Sequence, residues 1–405
     1  MSDNRRHVAG RHFLQIPGPS NVPDSVLRAM AQPVIDHRGP EFPELTRRIL
    51  DKLKAVFRTE AHVFIYPTSG TGGWECALLN ALSPGDKVLA FETGHFATLW
   101  KDVAEKLGLH IIWMPGDWRH GIKASLVEQK LSEDYDREIK AVLAVHTETS
   151  TGVTSCIPDI RAAMDKVKHP ALLMVDAVSS LACSDFRHDE WGVDITVSAS
   201  QKGLMLPPGL SFNAVSEEAM SRSKQSESLH SYWRWDAMAE HNARGYFPYT
   251  PGTNLLYGLD EALRLIHAEG LDNVIARHAR LAEATRIAVS AWGLFNVCMN
   301  EKEFCNSTTA VFAPDHNDAD ELRRIVLERF NMSLGTGLGL LKGQIFRIGH
   351  LGDFNELMLL GTLSGVEMGL KLADMPYTPG GVQAAMEFLA SQATGDDQID
   401  RLLQD

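Results

Sequence analysis

Runs of apolar residues alternate with polar and glycine-rich segments along much of the chain. The stretch 171–209 contains two such runs, one ending in Asp176 and a second, 193–199, followed by Ser200, Gln201 and Lys202. Each run is short, rich in apolar and β-branched residues and bounded by polar ones, which is typical of a strand buried on both faces of an α/β sheet. Asp176 and Lys202 are therefore predicted at the carboxyl ends of strands, where open α/β sheets bind their ligands.

The same pattern predicts strands and helices in alternation over the rest of the chain. Leu45, Ile49, Leu53 and Val56 recur at spacings of three and four, which predicts an amphipathic helix over 41–57. Further elements are predicted in the order strand 61–66, helix 74–82, strand 87–91, helix 94–108, strand 139–146, helices 259–268 and 271–292, strand 307–312, helix 318–330, strand 344–349 and helix 355–372. This order predicts an α/β protein with an N-terminal arm (1–23), a large domain (24–258) and a smaller C-terminal α/β domain (259–405).

Composition narrows the class of protein and of partner. The chain has a formal net charge of −13 and no long basic block, which argues against binding of nucleic acid. No segment reaches the roughly 18 apolar residues of a membrane span, and the N-terminus has no apolar run of signal-peptide length. The five cysteines are widely spaced and form no CxxC pair, so we expect reduced thiols, a cytoplasmic location and no metal site.

A glycine-rich turn follows the predicted strand 61–66. Residues 67–73 read PTSGTGG and precede a helical run, an arrangement that aims free backbone N–H groups and a helix N-terminus at an anion. The turn lacks the third spaced glycine of a dinucleotide site and the Gly-Lys-Ser/Thr of a P-loop. It therefore favours a smaller phosphate ester, with a plain tight turn as the alternative.

The pair Asp176 and Lys202 suits pyridoxal 5′-phosphate (PLP) chemistry. A desolvated lysine can form an imine with the cofactor aldehyde, and a carboxylate can hold a proton on the pyridine nitrogen so that the ring remains an electron sink. Taken alone, each residue has an ordinary alternative, since a lysine after a strand is usually a solvated loop residue and an aspartate there is usually a helix cap.

Seven motifs in one order carry a family resemblance. They are PGPSN (17–21), TSGTGG (68–73), HTETSTG (146–152), VDAVSS (175–180), SASQKG (198–203), PYTP (248–251) and FRIGHLG (346–352). Over nearly the whole chain this set resembles the class V aminotransferases of fold type I, and most closely the serine–glyoxylate and alanine–glyoxylate aminotransferase group. The resemblance implies PLP as cofactor and a large domain with a mostly parallel, seven-stranded sheet flanked by helices, followed by a smaller α/β domain.

Site residues follow from the resemblance position by position. Lys202 is similar to the lysine that forms the imine and moves the substrate proton, and Asp176 to the partner of the pyridine nitrogen. The other cofactor-binding positions implied are Val178 and Phe96 on the two ring faces, Thr149 near the ring oxygen, and Gly70, Thr71, Gly72 and Gln201 around the phosphate. Phe96 stands where relatives often have Trp, and Gly73 where some have His.

Two further positions concern the substrate and a second subunit. Arg347 is similar to the arginine that binds the substrate α-carboxylate, which a guanidinium grips through two parallel hydrogen bonds. Thr250 resembles the hydroxyl that reaches the phosphate of the other subunit, so a homodimer is the minimum assembly and a tetramer stays open. Phe247 replaces a tyrosine of some relatives. The glycine-rich stretch 334–339 is expected to be a flexible loop, either a gate over the substrate or a turn.

The expected partners are therefore small amino acids and 2-oxo acids. The activity expected is transfer of the amino group of L-serine to glyoxylate, giving hydroxypyruvate and glycine by a ping-pong mechanism. L-Aspartate and L-alanine are alternative donors. A cysteine desulfurase-type lyase would need a reactive cysteine, but Cys305 has no flanking basic or glycine-rich context. The other alternative is a non-catalytic protein that binds a phosphate ligand.

Overall fold

A seven-stranded sheet forms the centre of the molecule. The computed structural model describes residues 9–314 and 317–393. The strands of the central sheet are β2 (His62–Tyr66), β3 (Lys87–Phe91), β4 (His110–Met114), β5 (Ile139–Val145), β8 (Leu172–Asp176), β9 (Ile195–Ala199) and β10 (Ser211–Val215). Their order across the sheet is β2-β10-β9-β8-β5-β3-β4. Two short strands, β6 (Thr147–Glu148) and β7 (Val153–Thr154), form a separate two-stranded sheet.

All the strands of the central sheet are parallel except β10, which is antiparallel to both β2 and β9. Every residue of β8, β9 and β10 is buried, so this part of the sheet is covered on both faces. Such strands read as continuous apolar runs, which is why the two runs in 171–199 were recognisable in the sequence. The seven-stranded, mostly parallel sheet confirms the predicted fold class.

Helices connect the strands and cover the sheet. The helices that share one apolar core with this sheet are α1 (Asp24–Met30), α2 (Phe42–Phe57), α3 (Gly70–Ala81), α4 (His95–Lys106), α5 (Ala124–Glu133), α6 (Ile157–Lys166), α7 (Glu217–Ser223), α8 (Trp235–Asn242) and α9 (Thr253–Glu269). The apolar positions predicted for α2, namely Leu45, Ile49, Leu53 and Val56, are all buried. At about 25 cal/mol per Å² of apolar surface, this stripe of side chains is what holds α2 on the core.

A second, four-stranded sheet has the order β1-β12-β13-β11. Its strands are β1 (Phe13–Gln15), β11 (Thr308–Phe312), β12 (Met332–Thr336) and β13 (Ile345–Gly349), and its helices are α10 (Leu271–Ala291), α11 (Ala319–Phe330), α12 (Glu356–Leu372) and α13 (Gly381–Ala393). The strand β1 comes from the N-terminal arm and pairs parallel with β12. The arm then crosses from this sheet to the central one, since the N–H of Ser20 donates to the carbonyl of Gln201.

The buried apolar side chains form two large clusters that divide within α10, after Val274 and before Leu281. The predicted boundary at 258 falls inside α9, a helix whose apolar side chains belong to the first cluster. The division into 1–23, 24–258 and 259–405 stays a prediction, and its outer ends lie outside the described residues. No helix within 9–314 and 317–393 is long and apolar enough to cross a membrane.

Three predicted elements differ from the structure by more than two residues, and each contains a closely packed glycine. Helix α9 begins at Thr253 and not at 259, and a Cβ on Gly258 within it would lie 2.5 Å from Cγ of Met30. Helix α3 begins at Gly70 and not at 74, so the glycines that resemble a turn in the sequence form its first turn. They allow close packing there, since a Cβ on Gly73 would lie 2.8 Å from Cγ1 of Val197. The stretch 334–339 is not simply a flexible loop, since β12 runs through Thr336. A Cβ on Gly335 would lie 2.6 Å from Cδ of Pro17, so this glycine permits close packing of the arm.

Candidate active site

The carboxyl ends of β2, β3, β5, β8 and β9 meet at one edge of the central sheet because these strands are parallel to one another. The segments that follow them carry most of the predicted site residues: Gly70, Thr71 and Gly72 after β2, Phe96 after β3, Thr149 after β5, Asp176 and Val178 at the end of β8, and Gln201 and Lys202 after β9. The structure thus brings together side chains that are more than a hundred residues apart in sequence.

Lys202 is buried, with 8% of its surface exposed. Its ammonium group donates to the carbonyl of Pro17 in the N-terminal arm, and its own carbonyl accepts from Oγ of Ser20 at 2.9 Å. Gly18 lies so close that a Cβ there would be 2.5 Å from Nζ. Burial, with a smaller contribution from the positive charge of Arg347, lowers the pKa of Lys202 to about 8. At pH 7 roughly a tenth of the lysine is therefore a free amine, far more than for an exposed lysine.

Asp176 is buried at the end of β8, with 4% of its surface exposed. One carboxylate oxygen accepts from the N–H of Val178 at 2.7 Å, and the other accepts from the indole N–H of Trp74 at 3.1 Å. The pKa of Asp176 is raised to about 7, chiefly by burial and to a smaller extent by the nearby carboxylate of Glu148, while the two hydrogen bonds and Lys202 oppose this increase. A positive charge placed beside Asp176 would favour its ionised form.

Two helices, α3 and α4, point their N-termini toward this edge, and they differ in what they can bind. At α3 the N-cap residue Ser69 makes no side-chain capping bond, and in the described part of the chain the N–H groups of Gly70, Thr71 and Gly72 have no acceptor. At α4 the corresponding donors are already bound by the carboxylate of Glu148. Because free N–H groups and the helix dipole attract anions, α3 is the N-terminus at which a phosphate fits.

The surroundings of α3 agree with such a use. The side-chain oxygen of Gln201 is buried and has no hydrogen-bond donor among the residues described. A Cβ on Gly70 would lie 3.0 Å from Cγ2 of Val178, so the glycine brings the helix end close to this valine. An orphaned buried oxygen and an unfilled helix N-terminus are the features expected where a bound group completes the hydrogen bonding.

Arg347 lies on β13 of the four-stranded sheet, and only 6% of its surface is exposed. Its Nη1 donates to the carbonyl of Thr149 and its Nε to the carbonyl of Thr336, both at 2.8 Å. Within 9–314 and 317–393, Nη2 has no acceptor, and no carboxylate pairs with the guanidinium. Burial lowers the pKa of Arg347 to about 10, and Glu148 counteracts this. The spare donors suit a carboxylate ligand.

The remaining predicted residues lie in different settings. The hydroxyl of Thr149 contacts that of Ser179, and both are buried. Phe96 is half-buried in the first turn of α4, with its ring edge-on to His95. Thr250 is exposed, and its hydroxyl is 3.4 Å from Nε2 of His37. In the described part of the chain its side chain has no hydrogen bond to Lys202, Asp176 or the first turn of α3.

Three contacts at this edge were not predicted from the sequence. They are the indole of Trp74 on Asp176, the carboxylate of Glu148 at α4, and the carbonyl of Pro17 on Lys202. Glu148 and Pro17 fall inside motifs that were recognised, and Trp74 directly follows one. Only Glu148 had a signal of its own, because an acid directly after a buried strand must find donors when it is buried.

The residues present fit PLP. A buried amine of lowered pKa suits its aldehyde, a buried carboxylate suits its ring nitrogen, and the open N-terminus of α3 suits its phosphate. Lys202, Asp176 and the segment Gly70–Gly72 would hold these three parts of the cofactor. In the described part of the chain no group of His, Cys, Asp and Glu side chains is arranged to bind a metal ion.

Comparisons with known proteins agree with this geometry. The sequence profile of the family Aminotransferase class-V matches residues 12–339. A serine–glyoxylate aminotransferase of Arabidopsis thaliana is 48% identical over 94% of this chain and 96% of its own length. An L-aspartate–glyoxylate aminotransferase of Paracoccus denitrificans is 44% identical over 92% of this chain and 94% of its own.

A solved structure extends the likeness to the fold. The pyridoxamine–pyruvate aminotransferase of Mesorhizobium loti superposes with a TM-score of 0.89 over 95% of this chain and 98% of its own, at 28% identity. The family match and these identities span nearly the whole described chain. The chain therefore belongs to the class V aminotransferases, PLP-dependent enzymes of fold type I.

Proposed function

We propose that this enzyme transfers the amino group of L-serine to glyoxylate, giving hydroxypyruvate and glycine in two half-reactions. The observation that carries the proposal is the cluster of Lys202, Asp176 and Arg347, three buried ionisable groups at one edge of the sheet. The serine–glyoxylate aminotransferase of Arabidopsis thaliana, 48% identical, supports the choice of substrates.

The chain's own residues divide the work. Bound PLP supplies an electron sink for the bonds at the substrate α-carbon. Lys202 would hold the cofactor at its aldehyde carbon, and its amine would accept the proton from the substrate α-carbon. Its pKa of about 8 suits this exchange, because a general base works best when its pKa lies near the operating pH.

Asp176 and Arg347 orient and polarise the reacting groups. Asp176 holds the ring nitrogen in its protonated form, since an anionic carboxylate in a dry site strongly favours a neighbouring cation. The free donors of Arg347 bind the α-carboxylate of the amino acid. This contact would fix the orientation of the substrate and of the bond to be broken at its α-carbon.

A donor with a single carboxylate fits the charge of the site. Arg347 is accompanied by one other nearby arginine, Arg323, whose guanidinium is engaged with Asp320 and with the carbonyl of Leu334. The buried carboxylate of Glu148 adds negative charge beside Arg347. L-Aspartate is the alternative donor, supported by the relative in Paracoccus denitrificans, and it would need a further cation for its second carboxylate.

The desulfurase-type alternative has less support. Cys305 is buried, its thiol donates to the carbonyl of Thr308 at 3.0 Å, and burial raises its pKa. A thiol in this setting is a poor nucleophile, because the thiolate is the reactive form. All five cysteines are free, which supports a reducing compartment such as the cytoplasm.

The assembly that we propose is a homodimer in which Thr250 reaches the PLP phosphate of the partner subunit. Thr250 is exposed in the single chain, and two apolar side chains of the preceding segment, Leu229 and Tyr232, are also exposed. Such surface is what a second copy of the chain would cover. A dimer with this arrangement would complete each site with one hydroxyl from the other chain.

The direct test follows the nitrogen atom. Purified enzyme with PLP is given ¹⁵N-labelled L-serine and unlabelled glyoxylate, and products are identified by mass spectrometry. We expect ¹⁵N-glycine and hydroxypyruvate in equal amounts, and none with Lys202→Ala. Labelled glycine formed at a higher kcat/KM from ¹⁵N-aspartate than from ¹⁵N-serine would replace serine by aspartate as the donor. Ammonia release from L-serine without glycine, or sulfide release when L-cysteine is supplied instead, would overturn the proposed transamination.

A further inference from the structure

Glu148 is a buried carboxylate to which the sequence assigned no role. It lies at the end of β6, beside the candidate active site, and none of its surface is exposed. One carboxylate oxygen accepts from the N–H groups of Phe96 at 3.1 Å and Ala97 at 3.0 Å. The other accepts from the N–H of Ser150 at 3.0 Å and from its hydroxyl at 2.6 Å. Both oxygens are therefore saturated by donors of the same chain.

Two of these donors belong to the first turn of α4. The helix has no side-chain cap from its own N-cap residue, Gly94. Glu148 and Ser150 supply the missing acceptors, since Oγ of Ser150 also accepts from the N–H of His95 at 3.0 Å. A carboxylate in this position is stabilised by the helix dipole and by charge-assisted hydrogen bonds, which offset the cost of burying it.

The approach of Glu148 depends on the glycine before the helix. A Cβ on Gly94 would lie 2.4 Å from Cγ of Glu148 and 2.6 Å from Oγ of Ser150. Any other residue at position 94 would push the carboxylate away from the helix. Gly94, Glu148 and Ser150 thus form one unit, which we call the α4 cap.

The α4 cap is also close to the groups that carry the proposed chemistry. The charge of Glu148 acts on both Asp176 and Arg347. Phe96, the residue expected to face the cofactor ring, is held by its backbone directly on the carboxylate. A change at Glu148 should therefore alter the groups of the active site, whereas the loss of a remote helix cap should not.

We propose that Glu148 is a positioning residue, a built-in anion that closes the N-terminus of α4, so fixes Phe96 at the cofactor ring, and supplies a buried negative charge that acts on Arg347. The inference rests on the proposed function, and it places the phosphate of PLP at the N-terminus of α3. A helix end already filled by the chain's own carboxylate cannot compete with α3 for that phosphate.

The test compares Glu148→Gln and Glu148→Ala with the control Asn355→Ala. Asn355 caps α12 through a bond from the N–H of Met358 at 3.0 Å and lies outside the α4 cap. Amide hydrogen exchange is followed in the apoprotein on peptides that cover 94–98. Circular dichroism of bound PLP in the visible range is recorded without any substrate. Formate, a small carboxylate, is added to Glu148→Ala to refill the site.

We expect both Glu148 variants to exchange the amides of Phe96 and Ala97 about ten-fold faster or more, because each loses a charged acceptor. We also expect a weaker dichroism of bound PLP and recovery of both signals by formate in Glu148→Ala. Asn355→Ala should change neither signal. The proposal would be overturned if Glu148→Gln left both the exchange rates and the dichroism unchanged. It would also be overturned if Asn355→Ala changed both signals as much as the Glu148 variants do. Neither readout uses the amino donor, so a wrong assignment of serine leaves this test intact.

If Glu148→Ala does not fold, Ser150→Ala gives the second variant. It removes one donor to the carboxylate and the acceptor of the His95 N–H, while the charge of Glu148 is kept. Faster exchange at His95 with unchanged dichroism of bound PLP would show that Ser150 holds the His95 N–H while Glu148 positions Phe96. Unchanged exchange at His95 would contradict it.

Discussion

Asp176 and Lys202 are opposite in charge type, yet burial moves both of their pKa values toward neutrality, to about 7 and about 8. Desolvation is the largest cause in each case, because it penalises the charged form of an acid and of a base alike. Each group can therefore change its protonation state near the pH at which the enzyme works. This property belongs to the fold, since neither residue differs chemically from the surface aspartates and lysines elsewhere in the chain.

The raised pKa of Asp176 predicts how stability depends on pH in the apoprotein. In the unfolded chain the group ionises near 3.8, but in the folded chain near 7, so it costs stability as pH rises between these values. The change corresponds to roughly 4 kcal/mol. We expect Asp176→Asn to gain up to that much over wild type in unfolding free energy between pH 4 and pH 7, measured by urea denaturation. A difference that is constant with pH would contradict the burial argument.

The charge of Arg347 should affect the pH at which Lys202 reacts with PLP. Its positive charge lowers the pKa of the lysine, so Arg347→Met should raise that pKa above about 8. The measurement is the initial rate at which apoprotein gains visible absorbance on mixing with PLP, recorded from pH 6 to 10. We expect the midpoint to move to higher pH and KM for the amino donor to rise roughly 100-fold, because charge-assisted hydrogen bonds to the carboxylate are lost. A midpoint that moves down would contradict this account.

At the residue scale the sequence predicted the positions of Lys202, Asp176 and the glycines of α3, because each follows a strand or turn that is visible as a pattern. The indole of Trp74 on Asp176 and the carbonyl of Pro17 on Lys202 could not be predicted. Both contacts join segments more than a hundred residues apart, and their geometry depends on packing. Local patterns carry no information about such distances.

At the scale of elements, the N-terminus of α3 depends on how closely the helix approaches the sheet. A Cβ on Gly73 would lie 2.8 Å from Cγ1 of Val197 and 3.2 Å from Cβ of Ser211. We expect Gly73→Ala to destabilise the protein by about 1–3 kcal/mol through overpacking. Because α3 would be displaced, PLP binding should weaken as well, measured by equilibrium titration.

The matched variant for this prediction is the double substitution Gly73→Ala with Val197→Ala. It removes the nearer of the two obstacles, Cγ1 of Val197, and leaves Ser211 in place. PLP affinity should recover in part relative to Gly73→Ala alone. A double variant that binds PLP no better than the single one, or a single variant with wild-type affinity, would show that this contact does not position α3.

Element boundaries were predicted best where strands are buried on both faces. β8, β9 and β3 lie within or at the predicted limits, and α2 differs by one residue at its start. The largest departures, α3, α9 and β12, each contain at least one glycine. Sequence rules interpret glycine as a turn or a flexible loop, whereas here it permits backbone to approach side chains closely. That use is visible only once the neighbouring elements are in place.

At the scale of the whole molecule, the proposed dimer makes a testable prediction about Thr250. Sedimentation velocity should give twice the 44.7 kDa mass of the chain or a multiple of it. Thr250→Ala should leave this mass unchanged and weaken PLP binding about ten-fold, because one hydrogen bond to a charged phosphate is lost. A monomeric enzyme with full PLP affinity would remove Thr250 from the site.

The two sheets meet where the arm passes, and Arg347 on β13 reaches the carbonyl of Thr149 beside the central sheet. This connection makes the active site a property of both cores. The order of motifs predicted the family and the fold, but not how the arm joins them. β1 is only three residues long, and its pairing with β12 has no signature in the sequence.

We propose that Lys202, Asp176 and Arg347 form a transaminase site that takes its amino group from L-serine. The most direct measurement is the visible absorbance of enzyme-bound PLP after L-serine is added without glyoxylate. The band should bleach as one amino group per site is taken up, and it should return on addition of glyoxylate. L-Alanine and L-aspartate should bleach the band with lower second-order rate constants than L-serine. A band that L-serine leaves unchanged, or that L-aspartate bleaches faster, would contradict the account.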